Sequence, residues 1–111
     1  GVAMVKAGVN GRKIHAAIHK FFEDKGYPTG VKAGHNQGFF HGTGHGIGLE
    51  IHEEPVRINW KNFILKKGHV TSVEPGLYYS DIGGVRIEDL VYVTGTGCKV
   101  LAHFPKQLEI L

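Results

Sequence analysis

Residues 41–55 read HGTGHGIGLEIHEEP: three histidines and three acids in fifteen positions, with glycine at 42, 44, 46 and 48. Glycine costs about 1 kcal/mol relative to alanine inside a helix, so four at alternate positions leave the stretch extended or turning. Fully extended at about 3.3 Å per residue, His41 and His45 point to one side roughly 13 Å apart, too far to share one metal ion. His52 falls on the opposite face unless the chain bends. Each histidine is expected to contribute separately, and the bare glycine side lets a substrate or another backbone come close.

Outward from this stretch, the 111 residues suffice for one domain with a modest core, and 41% hydrophobic with 21% charged content is that of a soluble globular protein. Glycine is 17 of 111, about twice its usual share and without collagen-like period, so the backbone itself is in use. The formal charge of +3 comes from lysines scattered among acids; without a basic stripe interleaved with aromatics, no nucleic-acid partner is expected. No apolar run approaches the roughly 20 residues that cross a bilayer, so no membrane partner is expected either. The lone Cys98 forms no internal disulfide and fits a reducing compartment, and the start of the chain has no secretory pattern; a cytoplasmic location is expected.

Before the histidine segment, Asn10 can cap a helix over about residues 11–25. Its apolar positions Ile14, Ala17, Ile18, Phe21 and Phe22 follow the helical period, and Gly26 with Pro28 supplies the stop. YPTGVKAGHNQG then reads as a loop. After the histidines, HVTSV and LYYS are β-type runs parted by Pro75-Gly76, and VRIEDLVYV reads as one strand with Val85, Ile87, Asp89, Val91 and Val93 on one face. TGTG is a turn and CKVLAH a closing strand. One helix followed by turn-linked antiparallel runs gives an α+β class with a curved sheet.

Glu74 in SVEPG and Glu88 between Ile87 and Asp89 are carboxylates in apolar β-type runs, seldom buried unless paired with a cation or metal. A shared metal site for His45, Glu74 and Glu88 is one reading; separate structural roles, with an Arg86–Glu88 ion pair, is the other. One imidazole with carboxylates and no thiolate suits Mn, Co, Zn or Fe. His15 and His19 have chelating i, i+4 spacing but lack the glutamate of HExxH, and read better as boundary residues of an amphipathic helix. His35, His69 and His103 read as loop or strand-edge residues, and Trp60 and Phe39-Phe40 as core or pocket wall.

HGTGHGIGLEIHEEP, then TSVEPGLYY, then GGVRIEDLVYVT, in that order, closely resemble the C-terminal half of the catalytic domain of the metal-dependent Xaa-Pro peptidases, the prolidase and aminopeptidase P family with the pita-bread fold. The resemblance extends over nearly all of residues 1–111, including the closing FPKQLEIL, and implies that the chain is the C-terminal part of a metallopeptidase catalytic domain. It implies His45, Glu74 and Glu88 as metal ligands, Glu88 bridging two divalent ions (Mn, Co or Zn). It further implies His52 and Glu74 as catalytic groups, and His41, His52 and Arg86 as contacts for a proline-containing peptide.

The family's centre also takes two aspartates from an upstream strand pair, and Asp24, Asp81 and Asp89 do not stand in matching contexts. The site in this chain is therefore expected to be incomplete and the isolated chain inactive. With half its sheet lacking, the chain is expected to expose an apolar edge and to be able to form a homodimer. Two alternatives share parts of the pattern: a methionine aminopeptidase-like enzyme, against which RIED after GG and LEIH tilt, and a pita-bread pseudoenzyme that holds peptides without metals.

Overall fold

The computed structural model describes residues 1–108; the last three residues of FPKQLEIL lie outside the described residues. After a short 3-10 turn, Val2–Met4, helix α1 spans Gly11–Asp24. Among the described residues nine strands follow: β1 Gly30–Lys32, β2 His35–Gln37, β3 Gly44–Gly46, β4 Glu53–Ile58, β5 Val70–Val73, β6 Gly76–Tyr79, β7 Gly83–Arg86, β8 Asp89–Val93 and β9 Cys98–Val100. Five form one antiparallel sheet in the order β4-β3-β5-β8-β9; β1–β2 and β6–β7 are two-stranded hairpins. The expected α+β class is thus the observed one. Among the described residues no helix is long and apolar enough to cross a membrane.

Helix α1 starts and stops where the sequence says. The Asn10 side chain accepts the Arg12 N–H at 3.0 Å. At the other end Gly26 takes a φ of 85°, the Tyr27 N–H reaches Phe22 O and the Gly26 N–H reaches Glu23 O, both at 2.9 Å. That is a Schellman closure, which needs the left-handed residue glycine supplies.

The buried stripe is rotated from the expected one. Ile14, His15 and Ile18 face the core, while Ala17 and Phe21 are exposed. The expectation that His15 is a boundary residue is corrected: it is 1% exposed. Residues 14, 15 and 18 lie on one arc of a 3.6-residue period, and α1 turns that arc onto β4 and Phe39. With Val5, Val56, Ile58, Leu65, Val73, Val91 and Val93 they make one contiguous core.

Two more expectations are corrected. YPTGVKAGHNQG is not a plain loop: it contains the β1–β2 hairpin, whose Ala33-Gly34 turn has φ of 50° and 81°, the double left-handed geometry of a type I′ turn. VRIEDLVYV is not one strand. The β5–β8 ladder ends at Val73↔Asp89, and the β6–β7 ladder begins at Gly76↔Arg86. Between them the paired chains break together, at Glu74-Pro75 and Ile87-Glu88. Asp89, Val91 and Val93 are buried as one face of β8, but Val85 and Ile87, across the break, are exposed.

The glycine-spaced segment crosses the middle of this frame. Gly44 of β3 lies against β5 so closely that a Cβ there would stand 1.9 Å from Ser72 O. A backbone oxygen has little room to retreat. We expect Gly44→Ala to lower stability by about 1–3 kcal/mol, a Tm loss of several degrees at roughly 4–8 °C per kcal/mol for a domain near this size. Gly95→Ala, whose Cβ would meet nothing within 4 Å, should change stability by less than about 0.5 kcal/mol. Equal melting temperatures for the two variants in a thermal scan would contradict the close packing.

Candidate active site

β3 presents His45, and the register of β3 against β4 shifts between His45 and Gly46, a bulge of the kind that re-aims a side chain. The His45 Nδ1–H donates to Gly46 O at 2.9 Å, which leaves Nε2 with its lone pair free. Nε2 lies 3.0 Å from Glu74 Oε1. Glu74 follows β5 at the ladder break, is 8% exposed, and has its N–H held by Thr43 O at 2.7 Å. Ser72 stitches the two: its Oγ accepts the His45 N–H and donates to Glu74 Oε1, each at 3.0 Å.

The other carboxylate oxygen is taken by arginine. Arg86 Nη1 donates to Glu74 Oε2 at 3.0 Å, and Arg86 Nε donates to the Tyr78 hydroxyl at 2.7 Å. The Arg86 pKa is pushed up, first by the Tyr78 hydroxyl, with Glu74 and Glu88 adding their charge. Arg86 therefore pairs with Glu74 directly, where the sequence had offered Glu88 as its partner. Tyr78 lies across its hairpin in a bed made by two glycines: a Cβ at Gly76 would stand 2.7 Å from the hydroxyl and one at Gly84 2.5 Å from the ring.

Sequence reasoning missed Tyr78, Ser72 and Thr43. For Tyr78 the signal was present in the glycines at 76 and 84, which face a ring only once the hairpin register is known.

The remaining residues fall around this pair. The chain does bend after Gly46, so His52 is not on a far face: its exposed ring packs edge-on to His45 with centroids 4.2 Å apart. His41 lies against Phe39 and Tyr78 at 5.2 and 5.5 Å, apart from the His45–Glu74 pair. Glu88 stands exposed on the strand break that faces the break at Glu74. The structure thus brings His45 and Glu74 into contact and sets Glu88 on the neighbouring segment; among the described residues no three His, Cys, Asp or Glu side chains converge on one point.

The donor set of the contact pair fits a cation. A neutral imidazole Nε2 and a carboxylate oxygen are both acceptors, and at 3.0 Å they repel unless a proton or metal ion joins them.

Behind the site, His15 Nδ1 and Thr43 Oγ1 are 2.9 Å apart in the core. Burial, with His19 and His41 adding, pushes the His15 pKa down to about 4.

The chain matches the model of metallopeptidase family M24 over residues 1–95 and belongs to that family. It is 40% identical, over its whole length, to an uncharacterised peptidase of Bacillus subtilis (strain 168) and spans 29% of that protein. It is 36% identical to a Xaa-Pro dipeptidase of Pyrococcus furiosus, with 96% of this chain and 28% of the relative covered. Among solved structures, a Xaa-Pro dipeptidase from Bacillus anthracis superposes with a TM-score of 0.85 at 44% identity, covering 99% of this chain and 29% of that one. The resemblance to Xaa-Pro peptidases and the architecture it implied are borne out, over a chain that spans less than a third of these relatives.

The depressed His15 pKa has a sign that can be worked through. The unfolded imidazole takes a proton near pH 6.5 and the folded one only near 4. Stability is therefore full above 6.5, falls as pH drops toward 4 by an amount on the order of 3 kcal/mol, and levels off below. Denaturant titrations at pH 7 and pH 4.5 should show a smaller drop for His15→Phe than for the unaltered chain; identical drops would mean that His15 titrates normally.

Proposed function

We propose that this chain carries part of the active site of a metal-dependent peptidase that cleaves the peptide bond preceding proline, a Xaa-Pro dipeptidase or aminopeptidase. The observation that carries the reading is the His45–Glu74 contact, two mutually facing acceptors locked by Ser72 and Arg86. The 44% identity to a Xaa-Pro dipeptidase supports the choice of substrate. A cytoplasmic setting is part of the same reading, in keeping with the free thiol of Cys98.

His45, Glu74 and Glu88 would hold divalent ions, two by the family resemblance, of Mn, Co or Zn, with two more carboxylates contributed from outside this chain. Bound there, such ions would lower the pKa of water and polarise the scissile carbonyl.

The side chains do the rest. Arg86 and Ser72 fix both oxygens of Glu74, so its carboxylate can take a proton from the attacking water and pass it to the leaving imino nitrogen without reorienting. His52, exposed beside His45, is free to donate to the developing oxyanion. Phe40, His41 and Tyr78 pack edge-to-face and tilted as a wall against which the proline ring can lie. A bond to proline is a tertiary amide without N–H, so an apolar wall leaves no donor unpaired there.

In the full-length protein, His45→Ala and Glu74→Gln should each cut Mn-dependent hydrolysis of an Ala-Pro dipeptide by more than about 100-fold, beyond what loss of a ligand's outer partner costs. The 111-residue chain alone should show little turnover and weak metal affinity by calorimetry. Full activity in His45→Ala, or substantial turnover by the isolated chain, would overturn the assignment.

A further inference from the structure

Helix α1 and the candidate site meet at Thr43, which leads into β3 and is bonded in three directions. Its N–H donates to Ile58 O of β4 at 2.7 Å, its carbonyl accepts the Glu74 N–H at 2.7 Å, and its Oγ1 is bonded to His15 Nδ1 of the helix at 2.9 Å. Thr43 and His15 are both shut away from solvent. The side-chain bond holds whichever of the two carries the shared proton, since a hydroxyl can donate or accept. The bonds to Ile58 and Glu74 are backbone bonds open to almost any residue at position 43. The third needs a hydroxyl there and a polar ring atom on α1.

The carbonyl bond matters most at its Glu74 end. Glu74 stands in the gap between ladders, past Val73↔Asp89 and before Gly76↔Arg86, and the residue after it, Pro75, has no N–H. Ser72 and Arg86 fix the carboxylate oxygens, but the backbone from which the side chain starts is held toward β3 by Thr43 O. The His15 end is firmly seated. Its ring packs against Phe39 at 5.1 Å and Trp60 at 4.4 Å, centroid to centroid. The start of the helix lies so close to β4 that a Cβ at Gly11 would stand 2.6 Å from Arg57 O.

We propose that His15 is a positioning residue for Glu74, acting through Thr43: the imidazole anchors the Thr43 side chain, and the anchored residue keeps its carbonyl aimed at the Glu74 N–H. Deprived of His15, the Thr43 hydroxyl is a buried polar group with no solvent to turn to, so residue 43 shifts toward another partner and its carbonyl shifts with it. The helix is thereby tied to the carboxylate through two consecutive hydrogen bonds. That Glu74 then binds metal or moves a proton rests on the peptidase reading; the anchorage of its backbone does not.

Amide hydrogen exchange of the full-length protein, read at single residues, separates anchorage from packing. His15→Phe keeps a ring against Phe39 and Trp60 and gives up the bond, whereas His15→Asn places an amide group where Nδ1 stands and gives up the ring. Thr43→Val and Thr43→Ser make the same division at the other end, valine matching the shape without the hydroxyl and serine keeping the hydroxyl. The reference is the Val93 N–H, which donates to His69 O at 2.8 Å in the core and exchanges with general unfolding.

Relative to Val93, the Glu74 amide should exchange about tenfold faster in His15→Phe and Thr43→Val, and stay within about twofold of the unaltered protein in His15→Asn and Thr43→Ser. An unchanged ratio in His15→Phe or Thr43→Val, or a rise in His15→Asn equal to that in His15→Phe, counts against the proposal. If one pair of variants does not fold, the other pair decides alone. Exchange is read without metal or substrate, so the peptidase reading can fail with this result standing, and a failure here leaves that reading untouched.

Discussion

The site depends on how closely β3 runs against β5. Gly44 has no room for a side chain against Ser72 O, and Thr43 O accepts the Glu74 N–H at 2.7 Å, so the backbones are drawn together on both sides of that glycine. The closeness propagates outward by chemistry. Ser72 Oγ binds the His45 N–H and the Glu74 carboxylate at once, and Thr71 Oγ1 donates to His45 O at 2.8 Å from the same strand. Backbone spacing thereby becomes a 3.0 Å separation between an imidazole and a carboxylate. A wider strand pair would leave Ser72 unable to reach both, and the two acceptors would drift apart to relieve their repulsion.

The second determinant is the double break between ladders. Carboxylates inside a ladder would point alternately into the core and out to solvent. At the break, Glu74 and Glu88 escape that alternation and stand on adjacent segments. Glu74 is nearly buried, a position a carboxylate holds only with compensating partners. It has them in Ser72, Arg86 and His45. Arg86, half exposed at the end of β7, is in turn set by Tyr78, so the carboxylate's orientation traces back to the two glycines that let that ring lie flat.

How much of this the sequence shows depends on the range of the interaction. Helix α1 is legible because its cap, its period and its glycine stop are all local. HVTSV is legible because a β-type run parted from the next by Pro75-Gly76 permits few other readings. The β1–β2 hairpin is hidden because Ala33 at positive φ is atypical for a residue with a side chain. The unbroken alternation of VRIEDLVYV conceals the change of partner, since pairing with β6 and then β5 is a fact about distant strands. His15 was misread because a histidine on an apolar face looks the same whether or not a buried threonine hydroxyl waits for it. The candidate site was half legible: the motifs single out His45 and Glu74, but their contact runs through Ser72 and Thr43, whose own letters carry no such signal.

The glycines after the histidines are explained by proton placement as well as by packing. His41 is followed by Gly42 and His45 by Gly46, and in each pair the imidazole Nδ1–H donates to the carbonyl of the glycine that follows, at 2.7 and 2.9 Å. The same local bond fixes the same tautomer twice and turns both Nε2 atoms into acceptors. What differs is what each acceptor faces. At His45 the bulge directs Nε2 onto a carboxylate, an arrangement that calls for a proton or a cation; at His41 Nε2 is sealed from solvent, its ring packed against Phe39 and Tyr78. One dipeptide, used twice in six residues, thus sets one acceptor against the Glu74 carboxylate and the other inside a wall of aromatic rings.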